Sequence, residues 1–258
     1  MPRLTHIDTA CTLIEIGGWR LVTDPVFDPP GRRYWFGWGS SSRKLAAPAM
    51  SAAEVGAVDA VLLSHHQHGD NLDRAGRAFA AAAPIVLSTR AGARQFARGV
   101  GLAAGDSHTL RAEGRADLVV TAMPARHRPA WIPPFIAGPA IGFRLVSPGL
   151  SGPLQISGDT TLIDPLRASV IGRGVDTLVV HVGAVRFPYL SGPARYTFDA
   201  DEALELARLA DARRVIAVHT GGWTHFREGP AELRAVFEAA GLGERLVIPV
   251  PGEPIDLA

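Results

Sequence analysis

The sequence predicts one layered α/β domain with a sizeable sheet, and three observations carry that expectation. The N-terminal region reads as a β-hairpin, short apolar runs then alternate with stretches of helix-forming composition, and no shift in composition marks a linker. The 258 residues, 47% of them apolar, suit a single domain over 1–258 with enough chain to bury a substantial core.

The opening hairpin pairs Thr12–Ile16 with Trp19–Thr23 through Gly17-Gly18, which supplies the positive φ angles of a tight turn. Asp24-Pro25 ends it, because proline cannot extend a strand ladder. Residues 28–44 read as a long loop whose Tyr34, Trp35, Phe36 and Trp38 argue against disorder. Asp59–Leu63 is a buried strand flowing into Ser64, Leu72–Ala83 a helix stopped by Pro84, and Ile85–Leu87 a strand followed by a helix over Ala91–Arg98. Further strands are expected at Leu118–Ala122, Gly142–Val146, Leu154–Ser157, Thr177–Val180 and Val215–Val218. Asp199–Ala210 carries Leu204, Leu206 and Leu209 with acidic residues in its first turn, and Pro230–Ala240 completes the helices.

Composition removes several classes of function. Lys+Arg is 26 against Asp+Glu at 25, so no basic excess attracts a phosphate backbone and nucleic-acid binding is not expected. Cys11 is the only cysteine, which excludes an internal disulfide and a cysteine-cluster zinc site; its apolar neighbours mark it as buried. MPRLTHIDTA lacks the apolar core of a signal peptide, and no run of about 18 apolar residues predicts a membrane span. A cytoplasmic protein is the expectation, with self-association left open.

The chemistry gathers where predicted strands end. His65-His66-Gln67-His68-Gly69-Asp70-Asn71 follows the strand 59–63, His127 follows 118–122, Asp159 follows 154–157, and His219 closes 215–218. Taken singly, a histidine at a strand end or a Gly-Asp turn is ordinary. Three imidazoles within four residues are different, since they repel when protonated and add little to packing. Nitrogen and oxygen donors converging on one sheet edge suit Zn2+, or Mn2+ or Fe2+, as one or two ions.

In these motifs the chain resembles the metallo-β-lactamase fold superfamily, whose signature is H-x-H-x-D-H after a strand, then a His, a Gly-Asp pair and a final His. The matching residues are His66-Gln67-His68-Gly69-Asp70-Asn71, His127, Gly158-Asp159 and His219, with Thr23-Asp24-Pro25 after the first hairpin. It is most similar to the branch of ascorbate-6-phosphate lactonase and N-acyl-phosphatidylethanolamine phospholipase D, through Leu21–Phe27, Leu63-Ser64-His65, Asn71-Leu72-Asp73 and Ser157–Thr160.

The resemblance implies a four-layer αβ/βα sandwich and a metal-dependent hydrolase in which cation-activated hydroxide cleaves a small ester, lactone or phosphodiester. It assigns one ion to the first motif histidine, His68 and His127, and a second to Asp70 and His219 with Asp159 bridging. Spacing favours His66 as that first histidine, and the flanking strand end favours His65. Asn71 stands where the superfamily has its last motif histidine, which implies a weaker second ion or a rearranged ligand set. Asp70 would also orient the attacking water or relay its proton.

Ligating histidines need acceptors for their other N–H, and Asp24 and Asp73 qualify by position, although Asp73 equally suits a helix first turn. His181 and His225 are further candidates for the pocket or for outer support. Tyr34, Trp35, Trp38, Trp131, Phe36 and Phe135 are candidate pocket walls. Arg128, beside His127, and Arg126, Arg32, Arg33, Arg43 and Lys44 suggest a small-molecule substrate that is anionic with an apolar part. Two alternatives remain at this level: a nuclease of the same superfamily, or a ligand-binding member that has lost catalysis.

Overall fold

A computed structural model describes residues 1–37 and 39–257. The chain begins with β1 (Arg3–Asp8), β2 (Cys11–Ile16) and β3 (Trp19–Thr23), then a small hairpin of β4 (Arg33–Gly37) and β5 (Ser40–Arg43). It continues through α1 (Ala52–Val55), β6 (Ala60–Leu63), α2 (Arg74–Ala82), β7 (Val86–Thr89), α3 (Arg90–Ala93) and β8 (Gly99–Leu102). The second half runs β9 (Ser107–Leu110), β10 (Leu118–Pro124), α4 (Pro134–Ala137), β11 (Ile141–Val146), β12 (Leu154–Ile156), α5 (Asp164–Val170) and β13 (Thr177–His181). It closes with α6 (Pro188–Ser191), α7 (Ala200–Ala210), β14 (Arg214–Val218), α8 (Pro230–Ala239), β15 (Leu246–Val247) and β16 (Pro254–Asp256).

The strands form two seven-stranded sheets, β16-β1-β2-β3-β6-β7-β8 and β15-β14-β13-β12-β11-β10-β9. Side-chain alternation along each strand builds the layers. Ile14, Leu21, Leu62 and Leu87 of the first sheet meet Val120, Phe143, Val179 and Ile216 of the second in one apolar core. Their neighbours Leu13, Val22, Val61 and Val86 face the other way, onto Val55 of α1 and Ala80 of α2. In the second sheet Leu178, Val180, Val215 and Ala217 turn outward onto α5, α7 and α8, through Leu166, Leu206 and Phe237. The order is helix, sheet, sheet, helix, as expected. Strands buried on both faces are apolar at consecutive positions, which is why 60–63 and 177–180 show no alternation.

The helices start where sequence places them. Asp73 caps α2 by accepting from the Gly76 N–H, and Asp199 caps α7 by accepting from the Glu202 N–H. Other expectations need correction. The expected loop 28–44 contains the β4–β5 hairpin, and the helix expected over Ala91–Arg98 is a single turn, α3. The strand β8 is masked in sequence by Gly99 and Gly101. An added Cβ at Gly99 would lie 2.0 Å from the Ala93 carbonyl oxygen, so glycine there permits close approach of two backbones. Among the described residues no helix is long and apolar enough to cross a membrane.

One buried ion-pair cluster ties the hairpin to both the first sheet and α2. Lys44, the chain's only lysine, is fully enclosed, its Nζ 2.7 Å from Asp8 and 3.6 Å from Asp73. Removing one member leaves uncompensated buried charge. Lys44→Met should therefore lower unfolding free energy by about 3–5 kcal/mol, measured by urea denaturation.

Candidate metal centre

Parallel pairing of β3 with β6, of β12 with β13, and of β13 with β14 sends the C-terminal ends of these strands to one edge. β10 runs in the same direction as β12, because each is antiparallel to β11. That edge carries Asp24 after β3, His65 after β6, His127 after β10, Asp159 after β12, His181 at the end of β13 and His219 after β14. The Gly158 that precedes Asp159 has φ +62° and lies so close to β11 that a Cβ would be 2.5 Å from the Ile141 carbonyl oxygen. His219 itself is left-handed at φ 61°, held there by its N–H on the Thr9 carbonyl at 2.7 Å.

The donors fall into two groups, His65, His68 and His127, and Asp70, Asp159 and His219, each with ligand atoms within 4.8 Å of one another. All six residues are buried. Within the first group, His68 Nδ1 lies 3.0 Å from both His65 Nε2 and His127 Nε2. His219 Nε2 is 3.5 Å from Asp70 Oδ2 and 3.6 Å from Asp159 Oδ2, while His127 Nε2 is 3.9 Å from Asp159 Oδ2, so the groups adjoin.

Outer contacts set which nitrogen faces inward. His127 Nδ1 donates to the Tyr196 carbonyl at 2.7 Å and His219 Nδ1 to the Val182 carbonyl at 2.9 Å, which leaves the Nε2 of each facing inward. His65 Nδ1 meets Ser64 Oγ at 3.0 Å, and Ser64 is placed by its N–H on Asp24 Oδ1 at 2.7 Å. His181 Nδ1 holds Asp159 Oδ1 at 2.8 Å, and His225 bridges Asp70 Oδ2 at 3.1 Å to Ser42 Oγ at 2.6 Å.

The residues fit a divalent cation. Asp70 Oδ1, Asp159 Oδ2 and His219 Nε2 are buried without a hydrogen-bond partner, a costly state for polar atoms unless another group supplies the contact. In the first group one nitrogen of His68 faces two others, and a single lone pair cannot serve both. Zinc–nitrogen bonds of about 2.0–2.1 Å put tetrahedral ligand atoms about 3.3 Å apart, close to the spacing here.

The electrostatics agree with that division. Burial, then the neighbouring His127 ring, pushes His68 down to about 4, and the same causes lower His65 well below its usual range. Both imidazoles are neutral donors at pH 7. Burial alone would also lower His219, but Asp159 and Asp70 outweigh it and raise the ring to about 9. Burial would raise Asp70 and Asp159; His219 and His225 on the first, and His219 and His181 on the second, hold both carboxyls low. Burial, then the charge of Asp159, raises Asp24 well above the carboxylate range.

The open choice at the motif's start falls on His65, whose ring meets His68 and His127. His66 stays half-buried and outside both groups. Asn71 is also outside them, donating to Ser64 Oγ at 3.3 Å. Asp73 touches no site histidine: its oxygens accept from the Asp28 and Gly76 N–H groups, the helix-cap role. Sequence reasoning missed Ser64 and Ser42 because a serine beside a strand carries no distinguishing pattern.

A cavity of about 370 Å³ opens on this centre. Its floor is His68, Asp70, His127 and His225. Ile132, Ile136, Ala137, Val185, Phe187 and Tyr196, which pack together as one apolar cluster, line it with Phe36. Trp131 and Leu190 line the rim, 65% and 54% exposed. Of the expected pocket residues Phe36, Trp131 and His225 line it. Tyr34 donates to Asp28 at 2.6 Å and packs against Trp223 and Gly69, Trp35 is 71% exposed, and Arg128 donates to the carbonyls of Pro129, Ala130 and Ile132. Phe135 is on the surface rather than in the wall, and Trp38 lies outside the described residues.

Residues 19–220 match the family model of the beta-lactamase superfamily domain. The chain belongs to the beta-lactamase superfamily. Solved structures agree on the metallo-β-lactamase fold. An isothiocyanate hydrolase from Delia radicum gut bacteria is 20% identical over 99% of both chains, with a TM-score of 0.82. A metallo hydrolase from the hyperthermophilic archaeon Ignicoccus hospitalis is 19% identical over 98% of this chain and 97% of its own, with a TM-score of 0.71. CmlA, a diiron β-hydroxylase from Streptomyces venezuelae, is 16% identical over 99% of this chain and 54% of its own, with a TM-score of 0.67. No curated protein matches the chain in sequence.

The two adjacent histidines separate in experiment. His65→Ala should lower bound metal in purified protein, and His66→Ala should leave it at the wild-type level, as read by elemental analysis.

Proposed function

We propose that this member of the superfamily is a metal-dependent hydrolase of a small ester, lactone or phosphodiester. One observation carries the reading: neutral imidazole lone pairs and unpartnered carboxylate oxygens converge at the floor of a cavity large enough for a small molecule. His65, His68 and His127 would hold one cation, and Asp70 and His219 a second, with Asp159 between them. A divalent cation, when bound, brings the pKa of water toward 7 and polarises a substrate oxygen; zinc suits the donor set best.

The chain's own residues supply the rest. Asp70, held on one oxygen by His225, leaves its other oxygen without a hydrogen-bond partner, where it can orient an attacking water. His181 fixes Asp159 against rotation. Apolar walls keep bulk water from the floor. The isothiocyanate hydrolase of like fold supports hydrolysis at an electrophilic centre. The motifs Leu21–Phe27 and Ser157–Thr160 support the lactonase and phospholipase D-like branch.

A ligand-binding member without catalysis is the second reading, favoured by Asn71 at the last motif position. A panel of small esters, lactones and phosphodiesters, run with and without chelator alongside metal analysis, decides between them. Turnover should vanish with chelator and return with Zn2+. His68→Ala and His219→Ala should each lose more than about a hundredfold in kcat/KM, beyond the 10–100-fold typical of a ligand's outer partners. A protein that binds no metal, or turnover indifferent to chelator, would overturn the hydrolase reading.

A further inference from the structure

The cavity's polarity is confined to one end. At the floor stand His68, Asp70, His127 and His225; above it the walls are aliphatic and aromatic, and the hydroxyls of Ser40, Ser191 and Tyr196 are the further polar groups. Among the described residues no arginine or lysine lines it.

Three of the cations nearby in sequence are engaged elsewhere, and Arg186, whose buried Nε has no hydrogen-bond partner, is outside the lining. Arg128 is bound to three main-chain carbonyls, and Arg195 pairs with Asp199 and Glu202. Lys44 is enclosed with Asp8 and Asp73. A carboxylate or phosphate on the far part of a substrate would lose its water here and gain no counter-charge. A cationic group fares no better, since the one carboxylate in the lining, Asp70, is at the floor and already bound to His225.

From this polarity we infer that the substrate's non-reacting part is uncharged and apolar, an acyl or aryl tail of a few carbons lying against the apolar cluster that α4 forms with Val185 and Phe187. The inference rests on the hydrolase reading and adds the substrate class. The volume of about 370 Å³ sits near the lower end of small-molecule sites, about 300–1,000 Å³, and matches one ring or a short chain rather than a lipid. Trp131 and Leu190 at the rim present exposed apolar surface that such a tail covers. The anionic preference suggested by Arg126, Arg128 and the basic residues of 32–44 is absent from the lining.

Esters that share a leaving group isolate the tail. With the purified metal-containing protein and 4-nitrophenyl acetate, butyrate and hexanoate, kcat/KM should climb about fourfold per methylene until the cavity is full. The 4-nitrophenyl monoester of adipic acid, the hexanoate with a terminal carboxylate, should be poorer than hexanoate by about a hundredfold. Ile136→Arg, which places a cation on the wall away from the metal-holding residues, should move the adipate-to-hexanoate ratio at least about tenfold toward adipate with unchanged metal content. The wild-type series decides the matter even if that variant fails to fold. Chelator-sensitive turnover with no chain-length dependence, or with adipate preferred, overturns this inference and leaves the hydrolase standing. Absence of chelator-sensitive turnover across this series and across the lactones and phosphodiesters of the panel removes the hydrolase reading, and the inference with it.

Discussion

The centre is divided between two sheets, and the apolar layer that presses them together is what the site depends on. His65, His68 and Asp70 follow a strand of the first sheet; His127, Asp159 and His219 follow strands of the second. Among the described residues no strand ladder joins the two sheets. Interdigitated side chains such as Leu62, Leu87, Phe143 and Ile216, with the Ile141 N–H on the Ser64 carbonyl and the His219 N–H on the Thr9 carbonyl at the edge itself, keep their edges aligned to within the reach of a ligand bond. Close packing makes that alignment stiff, because a shift of one sheet over the other opens voids throughout the layer.

Given that alignment, small outer contacts decide the chemistry. Main-chain carbonyls at Val182 and Tyr196 choose the tautomers of His219 and His127, and the Asp24–Ser64 pair settles where His65 points. Asn71 lies outside both donor groups, on the same serine hydroxyl that His65 uses. His225 meanwhile occupies the flank of Asp70 from a distant loop.

Much of this was legible in the sequence because each donor follows an apolar run, and such runs announce strand ends. The layers were legible for the same reason. The choice between His65 and His66 was not, since it turns on which of two consecutive side chains points inward where the strand stops. The cavity walls were harder still. They come from irregular loops and single-turn helices such as α4 and α6, which have no periodicity, and aromatic content does not say whether a ring meets solvent, as Trp35 does, or packs on a glycine, as Tyr34 does. Arg128 misled because an arginine beside a site histidine reads as an anion receptor, whereas main-chain carbonyls had already claimed it.

Cys11 is enclosed on β2, facing the layer under α1 and α2, and burial pushes its thiol far from ionising. A thiol reagent can reach it only when that helix layer lifts from the sheet. The chain's lone sulfhydryl therefore serves as an internal clock for opening of the first half of the molecule, and its labelling rate times how often α1 and α2 leave the strands beneath them.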